Sequence, residues 1–328
     1  MLPDMDGLLI IDKPAGPTSH DVVSRMRRAL HERRIGHTGT LDPMATGVLL
    51  LVVGRATRLA KFLSVCDKSY EAVVRLGFST DTADAEGQPI GPAFHGPLPA
   101  RHVIDAALAG FRGTFMQQPP AFSAKKIDGT RSYKRARAAA RDARLTPSRY
   151  NLPDRPGLPD PPDPAALPAR ASVTVRRLEI ESIEADCVTL SVDCSAGFYV
   201  RSLAHDLGER LGIGGHLASL RRTRTGDFTV DQAVGLDTAE RDPQYAIDAM
   251  IPPADMLPGL ASVTLTAEGV LRAVHGRELE MDGGSGMTTS AYARDAGFVR
   301  LLDQSGQLVG IAEPTEAPGI LHPSVVLV

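Results

Sequence analysis

Apolar and polar positions divide the chain into short elements with clear punctuation. Gly7-Leu8-Leu9-Ile10-Ile11-Asp12-Lys13 is an apolar run closed by charge and then by Pro14, which predicts a buried strand and a turn. Thr18-Ser19 precede Val22, Val23, Met26 and Leu30 at helical spacing. The unbroken run Val48 to Val53 predicts a second buried strand, and residues 56–63 a helix. Residues 69–77 partly alternate and read as a strand, and 98–111 as an amphipathic helix. Residues 171–183 and 188–194 alternate like the two arms of a hairpin, and Leu203, Leu207 and Leu211 share one helix face. Residues 215–224 are expected to form a short helix ending in basic side chains, and 237–250 a last helix of the main domain. Ile251-Pro252-Pro253 marks a boundary. From about residue 256 the pattern changes to short strands with Gly turns, among them 298–302 and 308–312.

Composition narrows the class. A chain of 328 residues with 43% hydrophobic content is ample for a large core and two domains. No apolar run approaches the roughly 18 residues that span a bilayer. The N-terminus lacks a basic region followed by an apolar one, so no secretory signal is expected. Cys66, Cys187 and Cys194 are odd in number and lack metal-like spacing, which predicts reduced thiols, no metal and a cytoplasmic protein. The formal charge of −3 does not advertise nucleic-acid binding for the chain as a whole, so any RNA site must concentrate charge locally.

Such a concentration exists. Residues 125–149 hold nine basic side chains, including Lys125, Lys126, Arg131 and Lys134, against only Asp128 and Asp142. Phe122 and Tyr133 lie among them, and Pro119-Pro120 and Gly129 predict a protruding loop. A second run, Arg25, Arg27, Arg28, Arg33 and Arg34, is either solvated surface or phosphate-facing. Residues 147–168 contain eight prolines and read as an extended linker that builds no core. Thr80 to Gly87 has the look of a calcium loop, but alanines fall where ligands are needed.

The most specific stretch is Gly36-His37-Thr38-Gly39-Thr40-Leu41-Asp42-Pro43-Met44-Ala45-Thr46-Gly47-Val48-Leu49. Its glycines and Pro43 shape a loop that enters the buried strand with Asp42 at the bend. An isolated Asp-Pro pair is an ordinary turn. The whole string, however, resembles the catalytic loop of the TruB family, the tRNA pseudouridine-55 synthases of bacterial type. Asp12 to Ser19 is similar to that family's "DKPxGxTS", Asp67 to Tyr70 to its "DKxY", and Thr80 to Gly87 to its "TDTxDxxG". Cys194 to Gly208 is similar to "CSxGxYxRxLxxDLG", with Phe198 in place of a smaller polar residue.

The resemblance implies an α+β pseudouridine synthase fold: a mixed, mainly antiparallel central sheet with flanking helices, and a small β-rich PUA-like domain at the C-terminus. The catalytic domain would cover 1–252, with a thumb loop at about 115–136 and the Pro-rich insertion at about 147–168. The PUA-like RNA-binding domain would cover 253–328. Asp42 would be the nucleophile, Arg201 its partner and Tyr70 the aromatic stacked on the uracil. His37 would fill the gap left in the RNA by the flipped base. Tyr199 and Leu220 would line the base pocket, with Lys13 and Pro14 in support, and Lys125, Lys126 and Arg131 would bind RNA. An ordinary Asp titrates near 3.9 and is an anion at neutral pH. The implied reaction turns a T-loop uridine of tRNA into pseudouridine, an isomerisation that needs no cofactor. The implied protein is a monomer with no obligate protein partner. A guide-RNA-dependent synthase, which shares the catalytic loop, and a tRNA-folding chaperone are alternatives. A carboxylate hydrolase would need a second paired acid, and none is identifiable.

Overall fold

The computed structural model describes residues 5–120, 126–127, 130–131, 168–280, 287–288, 297–317 and 319–327. The chain forms two compact units. One comprises residues 1–41, 48–65 and 227–328, the other 42–47 and 66–226. Among the described residues no helix is long and apolar enough to cross a membrane.

In the first unit, Gly7–Lys13 is a strand in which Leu8, Leu9, Ile10 and Ile11 are all buried. It pairs in parallel with Val234–Gly235. Residues 48–53 form the apolar run of the strand Thr46–Val53, which pairs antiparallel with Ile35–His37. The helix Ser19–Ala29 begins at a capping box in which Thr18 and Asp21 each satisfy the other's backbone N–H. Val22, Val23 and Met26 face inward at the spacing the sequence predicts. Arg25 is not available to phosphate, because it pairs with Glu240 and Asp237. Arg27 donates to the Ile35 carbonyl at 2.6 Å.

The C-terminal part of this unit is a six-stranded sheet with the helix Ala267–Val274. Its strand order is Leu279–Glu280, Ile320–Val326, Leu308–Pro314, Val299–Leu302, Ala261–Leu265, Met287–Thr288. Val263, Leu265, Ala273, Val299, Leu301 and Leu321 build a small core of their own. Leu308, Ile311 and Leu327 instead share a core with Leu8, Ile10, Val48, Leu50 and Val52. The residues after 253 are therefore docked on the N-terminal strands rather than tethered beside them. Phe62 and Phe298 meet edge to face at 4.9 Å in the same cluster.

The second unit is built on an antiparallel ladder in the order Gly215–Thr225, Lys68–Leu76, Cys187–Cys194, Ala171–Glu184, Gly113–Gln117. Thr46 and Gly47 add a short parallel pairing with Arg221 and Arg222. The helices Arg101–Ala109 and Val200–Leu211 bury Ile104, Leu108, Leu203 and Leu207. The second helix ends at Gly212, which is left-handed at φ 70. A Cβ on Gly208 would stand 2.1 Å from the Gly215 backbone nitrogen, so this helix and the following strand touch through a residue with no side chain.

Two expectations fail. Residues 215–225 form a strand, not a helix. Leu217, Leu220, Arg221 and Arg224 have helical spacing, but the Lys68–Leu76 strand offers a full ladder, and two bulges absorb the mismatch with strict alternation. The last helix of the main domain is two, Leu236–Arg241 and Pro243–Asp248. Pro43's counterpart in effect is Pro243, which removes a helical donor and restricts Asp242. The freed Asp242 side chain caps Tyr245 at 3.0 Å.

Candidate active site

Asp42 opens a tight turn. The Ala45 N–H donates to the Asp42 carbonyl at 3.1 Å, with Pro43 at the second position, where its fixed φ suits the turn. Thr46 and Gly47 then join the Gly215–Thr225 strand. Gly47 has φ 96, and a Cβ there would lie 2.1 Å from the Arg222 carbonyl oxygen. No other residue type fits without moving the backbone. On the other side, Leu41 is clamped by Ser19, whose hydroxyl accepts from Leu41 N–H at 2.8 Å and donates to Leu41 C=O at 3.0 Å. Asp42 is thus fixed from both directions along the chain.

Arg201 meets it with a bidentate fork. Arg201 Nε lies 2.8 Å from Asp42 Oδ2, and Nη2 donates to Oδ1 at 3.2 Å. The remaining nitrogen, Nη1, reaches the Thr82 carbonyl at 3.3 Å and Asp84 Oδ2 at 3.6 Å. Arg201 and Asp84 have only 6% and 7% of their side chains exposed, whereas Asp42 has 34%. The guanidinium therefore bridges a buried carboxylate and an accessible one. Asp84 is itself fixed by Thr82 Oγ1 at 2.6 Å and by the Glu86 N–H at 3.1 Å. The segment that resembles a failed calcium loop thus supplies a structural anion. Sequence reasoning missed this role, since nothing in the spacing links residue 84 to residue 201.

A second clamp holds the helix that carries Arg201. Gln117, buried at the end of its strand, donates through Nε2 to Tyr199 C=O at 2.9 Å and accepts from Tyr199 N–H at 2.8 Å. Ser202 Oγ donates to Gln118 C=O at 2.8 Å. These contacts substitute for the side-chain cap that Tyr199 lacks at the helix start. Phe198 packs edge to face on Phe115 at 6.4 Å, which accounts for an aromatic at that position of the motif.

Tyr70 is half-buried on the Lys68–Leu76 strand, opposite Val192 on one side and Arg222 on the other. Burial raises its phenol above the ordinary value, and the charge of Asp42 acts in the same direction. Arg222, itself buried, hydrogen-bonds the Tyr70 side chain and opposes that rise. Asp42, Tyr70 and Arg201 belong to one unit, and so do half-buried Tyr199 and buried Leu220. Thr46 Oγ1 donates to the Leu220 carbonyl at 3.4 Å, tying that residue to the turn.

Lys13, Pro14 and His37 belong to the other unit. Lys13 is fully buried and donates to the Pro14 carbonyl at 3.0 Å. His37 is half-buried and pairs with Leu51. Lys126 and Arg131 pair across a two-stranded hairpin, while Lys125 lies outside the described residues. No group of three or more potential metal ligands occurs among the described residues.

The chain is similar to known proteins along most of its length. Residues 27–150 match the model of the TruB family pseudouridylate synthase N-terminal domain. Residues 201–257 match that of the tRNA pseudouridylate synthase B C-terminal domain. The chain is 38% identical to tRNA pseudouridine synthase B of Solibacter usitatus over 98% of its own length and 100% of that protein's. It is 41% identical to tRNA pseudouridine synthase B of Aromatoleum aromaticum, over 97% and 92% of the two chains. Among solved structures, the archaeal box H/ACA sRNP Nop10–Cbf5 complex contains a chain matched with a TM-score of 0.67 and 25% identity, covering 100% of this chain and 88% of that one. The expected α+β pseudouridine synthase fold is the one observed. On these matches the chain belongs to the TruB family of pseudouridine synthases.

Proposed function

We propose that the protein isomerises the T-loop uridine at position 55 of tRNA to pseudouridine, with Asp42 as nucleophile, Arg201 as its ion-pair partner and Tyr70 against the uracil. The observation that carries this reading is the bidentate Arg201–Asp42 pair, in which the guanidinium is buried and the carboxylate stays one-third exposed. A buried cation fixes the orientation of the anion, and the exposure leaves a nucleotide room to reach it.

The reaction breaks the C1′–N1 bond, turns the uracil and joins C5 to C1′. Asp42 attacks ribose C1′ or uracil C6, or the sugar passes through a glycal; each route returns the carboxylate unchanged. The C5 proton leaves and N1 gains one, so the net change is an isomerisation. The target base must leave its stack, at a cost of a few kcal/mol. Stacking on Tyr70 returns about 1–3 kcal/mol. Tyr199 and Leu220 line the pocket beside it. His37 fills the space the base vacates, and Lys13 and Pro14 support the site. Lys125, Lys126 and Arg131 contact the RNA backbone from a thumb loop at 115–136. Residues 253–328 form a PUA-like domain that binds the rest of the RNA, while 1–252 carry the chemistry. The protein works in the cytoplasm as a monomer on the T-arm stem-loop of tRNA, with no obligate protein partner and no cofactor.

The decisive experiment is Asp42→Asn, assayed by tritium release from tRNA labelled at uridine C5. Binding is expected to stay within about threefold of wild type while turnover falls by at least about 10³-fold, as when a nucleophile is removed. Substantial residual turnover would remove Asp42 from the mechanism. The wild-type protein alone is expected to modify a bare T-arm hairpin. A requirement for a guide RNA or further proteins would place it instead with the guide-dependent synthases.

A further inference from the structure

Arg222 is among the largest fully buried side chains in the described protein. On the sequence alone, a basic residue near the end of residues 215–224 would suit contact with phosphate. Burial at 2% exposure rules out that use. A guanidinium is expensive to bury, and it persists in such a place only where its donors are engaged. One of them goes to the Tyr70 side chain. The backbone of Arg222 sits between the two parts of the site that the chemistry needs. It pairs antiparallel with Tyr70 and parallel with Gly47, the residue that closes the Asp42 turn. Arg222 thus touches Tyr70 through its side chain while its backbone fixes the end of the Asp42 loop.

We infer that Arg222 is a positioning residue for the isomerisation, holding the Tyr70 phenol oxygen as a hydrogen-bond acceptor much as Arg201 holds the Asp42 carboxylate. The inference rests on the proposed function, in which Tyr70 faces the uracil. It adds a proton route. When the C5–H bond breaks, Tyr70 oxygen takes that proton and passes its own to N1, so C5–H is lost, N1–H is gained and no outside acid or base is consumed. Partial negative charge on the oxygen during this exchange is stabilised by the adjacent guanidinium.

The charged and titratable groups around Tyr70 are Arg222 on the next strand, Cys194 on the opposite strand, Asp42 in the loop, and Lys68 on its own strand, close enough to feel Arg222. Burial, Cys194 and Asp42 raise the phenol; Arg222 lowers it. Removing the guanidinium therefore moves the Tyr70 titration to higher pH.

The test compares Arg222→Lys and Arg222→Gln in the full chain, with Tyr70→Phe and the double variant Tyr70→Phe/Arg222→Lys. Tyrosine labelled at 13Cζ reports titration directly, with Tyr70 identified among six tyrosines by its loss in Tyr70→Phe. Arg222→Gln is expected to move the onset of the Tyr70 titration upward. Turnover should fall by about 100-fold, within the usual range for proton-transfer groups, with KM for tRNA within about twofold. Arg222→Lys should recover part of both effects. In the Tyr70→Phe background, Arg222→Lys should change turnover by less than about twofold, because the hydroxyl it serves is gone. An unmoved Tyr70 signal, or effects of the two substitutions that simply multiply, would overturn the inference. If Arg222→Gln does not fold, the cycle with Arg222→Lys decides alone. The NMR measurement uses no RNA, so its failure is separable from a failure of the Asp42→Asn experiment.

Discussion

The two ends of the Asp42–Arg201 pair are held by different means. One or two residues before each lies a residue whose N–H and C=O are both clamped by one side chain: Leu41 by Ser19, and Tyr199 by Gln117. Beyond that likeness they diverge. The carboxylate end is a partly exposed turn, fixed by Pro43 and by the glycine that fits against Arg222. The guanidinium end is a buried helix start, fixed by packing and by a second carboxylate at Asp84. The difference follows from the chemistry. A reacting group must be reachable, so its restraint comes from short backbone contacts. The group that orients it can be buried, where its charge is screened least.

Three substitutions probe this contrast, from the strongest effect to the weakest. Arg201→Lys keeps the charge and loses the fork. Turnover is expected to fall by about 100-fold with little change in tRNA binding, since a point charge cannot orient both carboxylate oxygens. Retention of near wild-type turnover would mean that charge alone suffices. Gln117→Leu removes the clamp on Tyr199; its carbonyl keeps the helical bond from Leu203 N–H, so the main cost is the lost acceptor of the Tyr199 N–H, about 1–3 kcal/mol. A fall of several degrees in Tm, with turnover down by about tenfold, is the expected pair of readings. Unchanged melting would show that packing alone fixes the helix start. Ser19→Ala removes the matching clamp at Leu41. Because the Ala45–Asp42 turn and the Gly47 contact remain, turnover should fall by only about three- to tenfold. A larger loss than for Gln117→Leu would reverse the ranking of the two clamps.

Much of this site was legible in the sequence because its parts are local. The loop around Asp42 is written in glycines and prolines whose backbone demands are few. The helix of Arg201 is written in leucines at regular spacing. What the sequence hid is non-local. Asp84 lies in a hairpin with no periodic tie to residue 201, and only the folded ladder brings them together. In residues 215–224 a few leucines and arginines recur at helical spacing, which predicts a helix, whereas pairing with the Lys68–Leu76 strand decides the outcome. That error concealed Arg222, since a residue on a basic helix surface and one buried beside a tyrosine have the same letter. Arg25 misled in the same way: its carboxylate partners are more than 200 residues away.

The clamp at Gln117 has a neighbour with a practical meaning. Gln118 Nε2 donates to the Pro168 carbonyl at 2.6 Å, and Gln117 pairs with Ala171, so the chain that leaves at 118 is tied to the chain that returns at 168. Once the two ends of an excursion are stapled, its length carries only a logarithmic entropic penalty, about 0.6 kcal/mol per doubling. A change in the length of chain between these two ties is therefore expected to leave the Gln117 clamp on Tyr199 in place.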